Sequence, residues 1–195
     1  MTARATTRPA RKSDAAEIAL LVNIAVHGGI AQGWAHSDEA GGTYDPIEVG
    51  RLDMMTDDEF GWRNCTMAEV DGEVAGMLLG YRKADEFTPV GPEVTGFMRP
   101  IEELEADANG TWFISMLGVH IGWRGKGVGS QLLDVAEVKR GETKAKGLSL
   151  IVEDTNEGAR RLYERRGYAV RNSRPMGRYP GGGPGGRDWL LMVKD

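Results

Sequence analysis

Apolar residues recur along this chain in two rhythms, and the breaks between them divide it into elements. Ile18, Leu21, Val22 and Ala25 fall at helical spacing. They predict a helix that follows Ser13 or Asp14 as N-cap, runs to about Val26 and is stopped by Gly28 and Gly29. A strand over 3–8 precedes it, and a second helix is expected over 47–55. The runs 64–70 and 74–81 read as strands joined through Asp71-Gly72, a two-residue hairpin signal. Between 84 and 110 the pattern dissolves: Pro89, Pro92 and Pro100 interrupt it, and Asp85, Glu86, Glu93, Glu102, Glu103, Glu105 and Asp107 accompany a lone Arg99. This reads as an insertion with a short helix over 100–106. A buried strand over 112–120 then leads into a loop with three glycines around Lys126, and a helical pattern starts at Ser130 and continues to about Arg140. After a turn at 144–147 the apolar run 148–152 reads as a buried parallel strand, completing a crossover unit. A helix over 156–166 and strands over 168–172 and 189–193 finish the chain, with the glycine run at 181–186 as a long, mobile hairpin loop near the active site.

Composition narrows the class. With 195 residues and 41% apolar content the chain can bury one good core, so one domain over 1–195 is expected. A net charge of -5 argues against a nucleic-acid surface, which needs clustered Lys and Arg. Cys65 is the single cysteine, so no intrachain disulfide forms, and nothing activates it beyond packing. No run of about 18 apolar residues exists to span a bilayer, and Pro9 interrupts the basic N-terminal stretch that would otherwise suggest targeting. The expectation is a cytoplasmic protein with no membrane partner.

The chemistry concentrates at 124–129. A strand, a glycine loop and a helix start leave backbone N–H groups free and add a positive dipole end, a cradle for phosphate. A dinucleotide fingerprint needs glycine where Ser130 stands, and a Walker A loop needs G-K-[ST] where the chain reads Gly125-Lys126-Gly127. What remains is Arg124-x-x-Gly127-x-Gly129. This resembles motif A of the GNAT acetyltransferase superfamily, whose loop holds the pyrophosphate of acetyl-coenzyme A. Downstream, Asn156-x-x-Ala159-x-x-Leu162-Tyr163-x-x-x-Gly167-Tyr168 is similar to the family's motif B.

The resemblance implies an α/β fold: a mixed, mostly antiparallel sheet of about seven strands, flanked by about four helices, with a parallel central pair that splays to admit the pantetheine arm. It implies cofactor contacts at Leu117, Gly118, Val119, Arg124, Gly125, Lys126, Gly127, Val128, Gly129, Ser130, Asn156, Ala159 and Tyr163. By the same resemblance the Leu117 N–H polarises the thioester carbonyl and Tyr163 returns a proton to the leaving thiolate, the alternative for Tyr163 being a core tyrosine. Arg124 has two readings, a phosphate contact or a shaper of the loop, and Lys126 is either near the nucleotide or solvated.

Some relatives carry a glutamate base where this chain has Phe113. An alkylammonium is mostly protonated at neutral pH, so a relay is still needed; water held by Ser115 is the first candidate, with Glu69 and His120 weaker and His120 better read as a spacer. Trp34, His36 and Tyr44 either line an acceptor pocket or pack and face solvent. The acidic insertion either steers a cationic amine or is a solvated face. The implied function is acetyl transfer from acetyl-CoA to a primary amine of a small molecule, by direct attack and without a metal. A protein or peptide amine, another acyl chain and a non-catalytic acyl-CoA sensor remain as alternatives. The final strands could pair across a homodimer.

Overall fold

A computed structural model of the chain describes residues 3–35, 45–177 and 185–195. His36, Tyr44 and most of the glycine run at 181–186 lie outside the described residues. The strands are β1 (Thr6–Pro9), β2 (Cys65–Val70), β3 (Glu73–Arg82), β4 (Trp112–Val119), β5 (Leu148–Glu153), β6 (Ala169–Pro175) and β7 (Asp188–Lys194). They form one seven-stranded sheet in the order β1-β2-β3-β4-β5-β7-β6. β4 and β5 run parallel, while the pairs β1–β2, β2–β3, β5–β7 and β6–β7 are antiparallel. The helices are α1 (Ala15–Ala25), α2 (Gly29–Ala35), α3 (Pro46–Met54), α4 (Met98–Ala106), α5 (Val128–Thr143) and α6 (Glu157–Arg165). About four flanking helices were expected and six are present among the described residues; α2 is the one with no precedent in the sequence pattern. None of the described helices is long and apolar enough to cross a membrane.

The chain divides into two compact units, Met1–Gly80 with Met116–Val135, and Tyr81–Ser115 with Ala136–Asp195. In the first, α1, α2 and α3 pack on one another, and Ile18, Leu21, Val22, Met67, Met77, Leu78, Leu132 and Leu133 are almost wholly buried. The β2–β3 hairpin closes through Asp71 (φ 53) and Gly72 (φ 83), both left-handed, as a two-residue primed turn requires. α1 ends where Gly28 takes φ 85 and donates its N–H to Asn23 O at 2.8 Å. Gly29, expected to remain loop, opens α2 instead, and Trp34 explains why that helix holds. Its ring is 5% exposed, lies over Gly50 of α3, where any side chain would collide with it, and donates Nε1–H to Asp53 at 2.7 Å. Trp34 is therefore a packing residue.

Asp14 stands at the N-cap position of α1, but its side chain makes no cap bond there. It accepts instead from the Arg11 backbone N–H at 2.6 Å and, through both oxygens, from the Arg8 guanidinium at 2.7 and 3.1 Å. Arg8 also donates Nε–H to Glu69 at 2.6 Å. The strand starts at Thr6 rather than Ala3, and Arg8 on it ties β1 to β2 and to the head of α1.

In the second unit α4 packs over β5, β6 and β7. Leu104, Leu148, Leu150, Leu191 and Met192 form the core there. Trp112, Phe113 and Ile114 register with Leu148, Ser149 and Leu150. Ser149, wholly buried, satisfies its hydroxyl against Thr111 at 2.5 Å. Four of the seven acids named in the insertion are held in ion pairs. Asp85 pairs with Arg82 and Lys146, Glu105 with Lys83, Glu103 with Arg99 and Arg174, and Asp107 with Arg174. Their partners come mostly from outside the segment, so the acidity anchors α4 and its steering role is weakened.

Because Arg8 holds the Asp14 carboxylate below its ordinary pKa, the unfolded chain takes up that proton first as pH falls. The stability the pair contributes is complete above about pH 4 and is lost as pH drops through the lowered folded value. Asp14→Asn should therefore cost about 1–3 kcal/mol at neutral pH, with the gap to the unmodified protein closing toward about pH 2. Urea unfolding across that range measures it, and a gap independent of pH would contradict the assignment.

Candidate functional site

The glycine loop sits in the first unit, between β4 and α5. A short 3-10 turn (Ile121–Trp123) follows β4. Gly125 and Gly127 then take φ +72 and +91, a region side chains rarely occupy. α5 begins at Val128, two residues before the position expected from the apolar pattern. Its first intrahelical bond runs from Gln131 N–H to Gly127 O at 3.1 Å. Val128, Gly129 and Ser130 are thus the first-turn residues whose N–H groups have no acceptor inside the helix. These N–H groups, two left-handed glycines and a helix dipole form a donor set suited to a diphosphate. Arg124 directs Nε–H to Val119 O at 3.1 Å, which supports the loop-shaping reading while leaving the outer guanidinium nitrogens on an exposed side chain. Lys126 lies over the Trp123 ring, 4.6 Å from its centroid.

Half of β4 is buried, and its partial exposure is confined to Ser115, Met116, Leu117 and Val119. The strand is tied at its end by the His120 N–H donating to Ala75 O at 3.0 Å. His120 is no plain spacer, because its Nε2 lies 2.5 Å from Glu17 Oε1 on α1. Glu69 is committed to Arg8. Both weaker base candidates therefore already have charged partners. Gly118 permits α1 to rest on the strand, since a Cβ there would lie 2.5 Å from Leu21 O.

The second unit supplies the motif B helix, held at both ends. Asn156 Oδ1 accepts from the Ala159 N–H at 3.2 Å, an N-cap, so one of its polar atoms is already engaged. At the other end Gly167 (φ 88) donates to Glu164 O, and Tyr168 N–H donates to Tyr163 O, both at 3.0 Å. This is a Schellman cap, and the ring contact that accompanies it is Tyr163 on Tyr168, with centroids 5.8 Å apart. Tyr163 is 8% exposed, and its hydroxyl makes no hydrogen bond among the described residues. Burial first, and then the charge of Glu153, pushes its pKa well above the ordinary phenol value. The phenol keeps its proton at neutral pH and is available as a proton donor. Phe113 is buried in this unit beside Tyr81, at 5.8 Å between centroids. Cys65, in the first unit, is inert: burial, aided by the charge of Asp14, raises its thiol to about 12.

Sequence reasoning placed the glycine loop before a helix and put Tyr163 on a capped helix, as the structure has them. It missed Gln131, Glu17 and the use of His120, whose partners are remote in sequence. Gly118→Ala forces a methyl group into the α1 backbone, and the expected result is a loss of about 1–3 kcal/mol. Chemical denaturation checks this; an unchanged midpoint would mean that α1 does not depend on that contact.

The sequence model of the acetyltransferase (GNAT) family matches residues 34–168. No curated protein matches the sequence. Among solved structures, one described as an acetyltransferase aligns over 97% of this chain and 98% of its own, with 21% identity and a TM-score of 0.64. An N-acetyltransferase from Staphylococcus aureus Mu50 aligns over 96% and 99%, with 16% identity and a TM-score of 0.62. Arabidopsis thaliana Naa50 in complex with the bisubstrate analogue CoA-Ac-MVNAL aligns over 98% of each chain, with 17% identity and a TM-score of 0.58. At these identities the structures speak for the fold, whereas the family match covers more than half of the chain. The loop geometry and that match together make this chain a member of the acetyltransferase (GNAT) family, an acyltransferase that uses acetyl-CoA.

Proposed function

We propose that this protein acetylates a primary amine of a small molecule by direct attack of the amine on acetyl-CoA within a ternary complex. The observation that carries the reading is the loop at the head of α5, with its left-handed Gly125 and Gly127 and unbonded first-turn N–H groups. In this reading Gly125, Lys126, Gly127, Val128, Gly129 and Ser130 hold the diphosphate, with Arg124 shaping the loop. Leu117, Gly118 and Val119 meet the pantetheine arm through backbone groups, and Asn156 and Ala159 contact it from α6. Acetyl-CoA supplies the activated acetyl group. The Leu117 N–H is directed at the carbonyl oxygen where charge develops. Tyr163 donates to the sulfur as the thiolate leaves. A raised phenol pKa suits this role, because the desolvation that raises it also raises the proton affinity of a thiolate beside it.

The base is assigned to water at Ser115, since Phe113 offers no carboxylate and Glu69 is committed to Arg8. The small acceptor is favoured by the length of the loops that the sequence places between its predicted elements. A second reading, a peptide amine, is favoured by the Naa50 neighbour and its peptide-bearing analogue. We place the whole chain in one catalytic domain acting in the cytoplasm, with pairing of the last strands as the route to a homodimer.

Thiol release from acetyl-CoA with a panel of amines, polyamines, amino acids and peptides separates the two acceptor classes. On the best acceptor, Tyr163→Phe should lower kcat by about a hundredfold or more. The factor should be the same at every pH between roughly 6 and 9, because the phenol stays protonated throughout. An unchanged kcat would remove Tyr163 from the chemistry.

A further inference from the structure

The backbone before β1 is stitched to the phosphate loop through one side chain. Ala3 N–H donates to Lys126 O at 2.8 Å. Gln131, in the opening turns of α5, donates Nε2–H to Ala3 O at 2.9 Å and to Gly127 O at 3.3 Å, and its Oε1 accepts from Ala5 N–H at 3.0 Å. Both hydrogens and the oxygen of the amide are therefore used. Gly127 O receives Gln131 twice, from the backbone at 3.1 Å and from the side chain.

The consequence follows from peptide planarity. In a trans peptide the C=O of one residue and the N–H of the next point in opposite directions. Turning Lys126 C=O toward Ala3 directs Gly127 N–H the other way, and fixing Gly127 C=O against Gln131 does the same for Val128 N–H. Without such ties, a loop with glycines at 125, 127 and 129 would sample many orientations, and ordering it would be charged against ligand binding.

We infer that Gln131 is a positioning residue for the cofactor, and that residues 3–5 are the strap through which it works. Together they hold the loop N–H groups in the orientation that receives the diphosphate. This rests on the reading of the loop as the acetyl-CoA phosphate site and adds to it two elements outside the glycine motif. Gln131 touches neither the acetyl group nor the acceptor, so its effect belongs in cofactor affinity and not in the chemical step.

The test compares Gln131→Leu, Ala3→Pro and the double variant with the unmodified protein. Calorimetry gives Kd for coenzyme A, steady-state kinetics gives KM for acetyl-CoA and kcat, and thermal melting without ligand reports folding. Each single variant should raise Kd and KM together by roughly three- to thirtyfold, with the change in KM rather than kcat. The double variant should be no worse than the poorer single, because both remove the same restraint. Ala3→Pro removes the N–H that meets Lys126 O and fixes φ at residue 3 without touching α5, and carries the test alone if Gln131→Leu does not fold. A lowered melting temperature with Kd unchanged in the folded variant would make the contact merely structural and overturn the inference, as would additive losses. Failure of the unmodified protein to bind coenzyme A would overturn the phosphate reading itself, and is seen before any variant is made.

Discussion

Two positions without side chains set the spacing on which the first unit depends. A Cβ at Gly118 would lie 2.5 Å from Leu21 O, and one at Gly76 would lie 2.6 Å from Gly118 O. Helix α1 can rest directly on β4, and β3 can press on β4 from the side, only because neither residue projects anything into the gap. The approach brings Glu17 within reach of His120 and lets His120 N–H meet Ala75 O, so the end of β4 is held just where the glycine loop departs. Glycine raises the entropy cost of ordering a strand; here that cost secures a rigid root for a loop that is itself glycine-rich.

The features that sequence reasoning read well are those decided within a few residues. Asp71-Gly72 makes its own turn, and Asn156 and Gly167 cap their own helix. What it missed was decided by distant partners. Arg174 reaches Glu103 across 71 positions, Glu17 meets His120 across 103, and Gln131 meets Ala5 across 126. Helix α2 has weak local credentials, with two glycines in seven residues, and the docking of Trp34 on Gly50 overrides them. The insertion's acids looked unbalanced only because Arg82, Lys83, Lys146 and Arg174 lie outside the window in which they were counted.

The same division runs through the chemistry. The proposed donor half of the reaction is written in compact motifs, because binding a diphosphate and protonating a leaving group would each need a short stretch of backbone or one side chain at a fixed helical position. The acceptor half has no such signature. Carboxylates that look available in the sequence are consumed by structure: Glu69 by Arg8, Glu17 by His120, and Glu105 by Lys83 in surroundings dry enough to raise its pKa. Only coordinates could show which charges were already spent.

The capping of α6 bears on how such a chain can change over time. Tyr163 provides the C3 carbonyl and the ring of the Schellman cap, so its hydroxyl takes no part in closing the helix. The helix is a cassette closed by Asn156 and Gly167, and its register is fixed by backbone bonds rather than by the identity of its exposed residues. Sequence drift can therefore run freely over Glu157, Arg161 and Glu164 without moving the phenol. Solved structures at 16 to 21% identity share the fold.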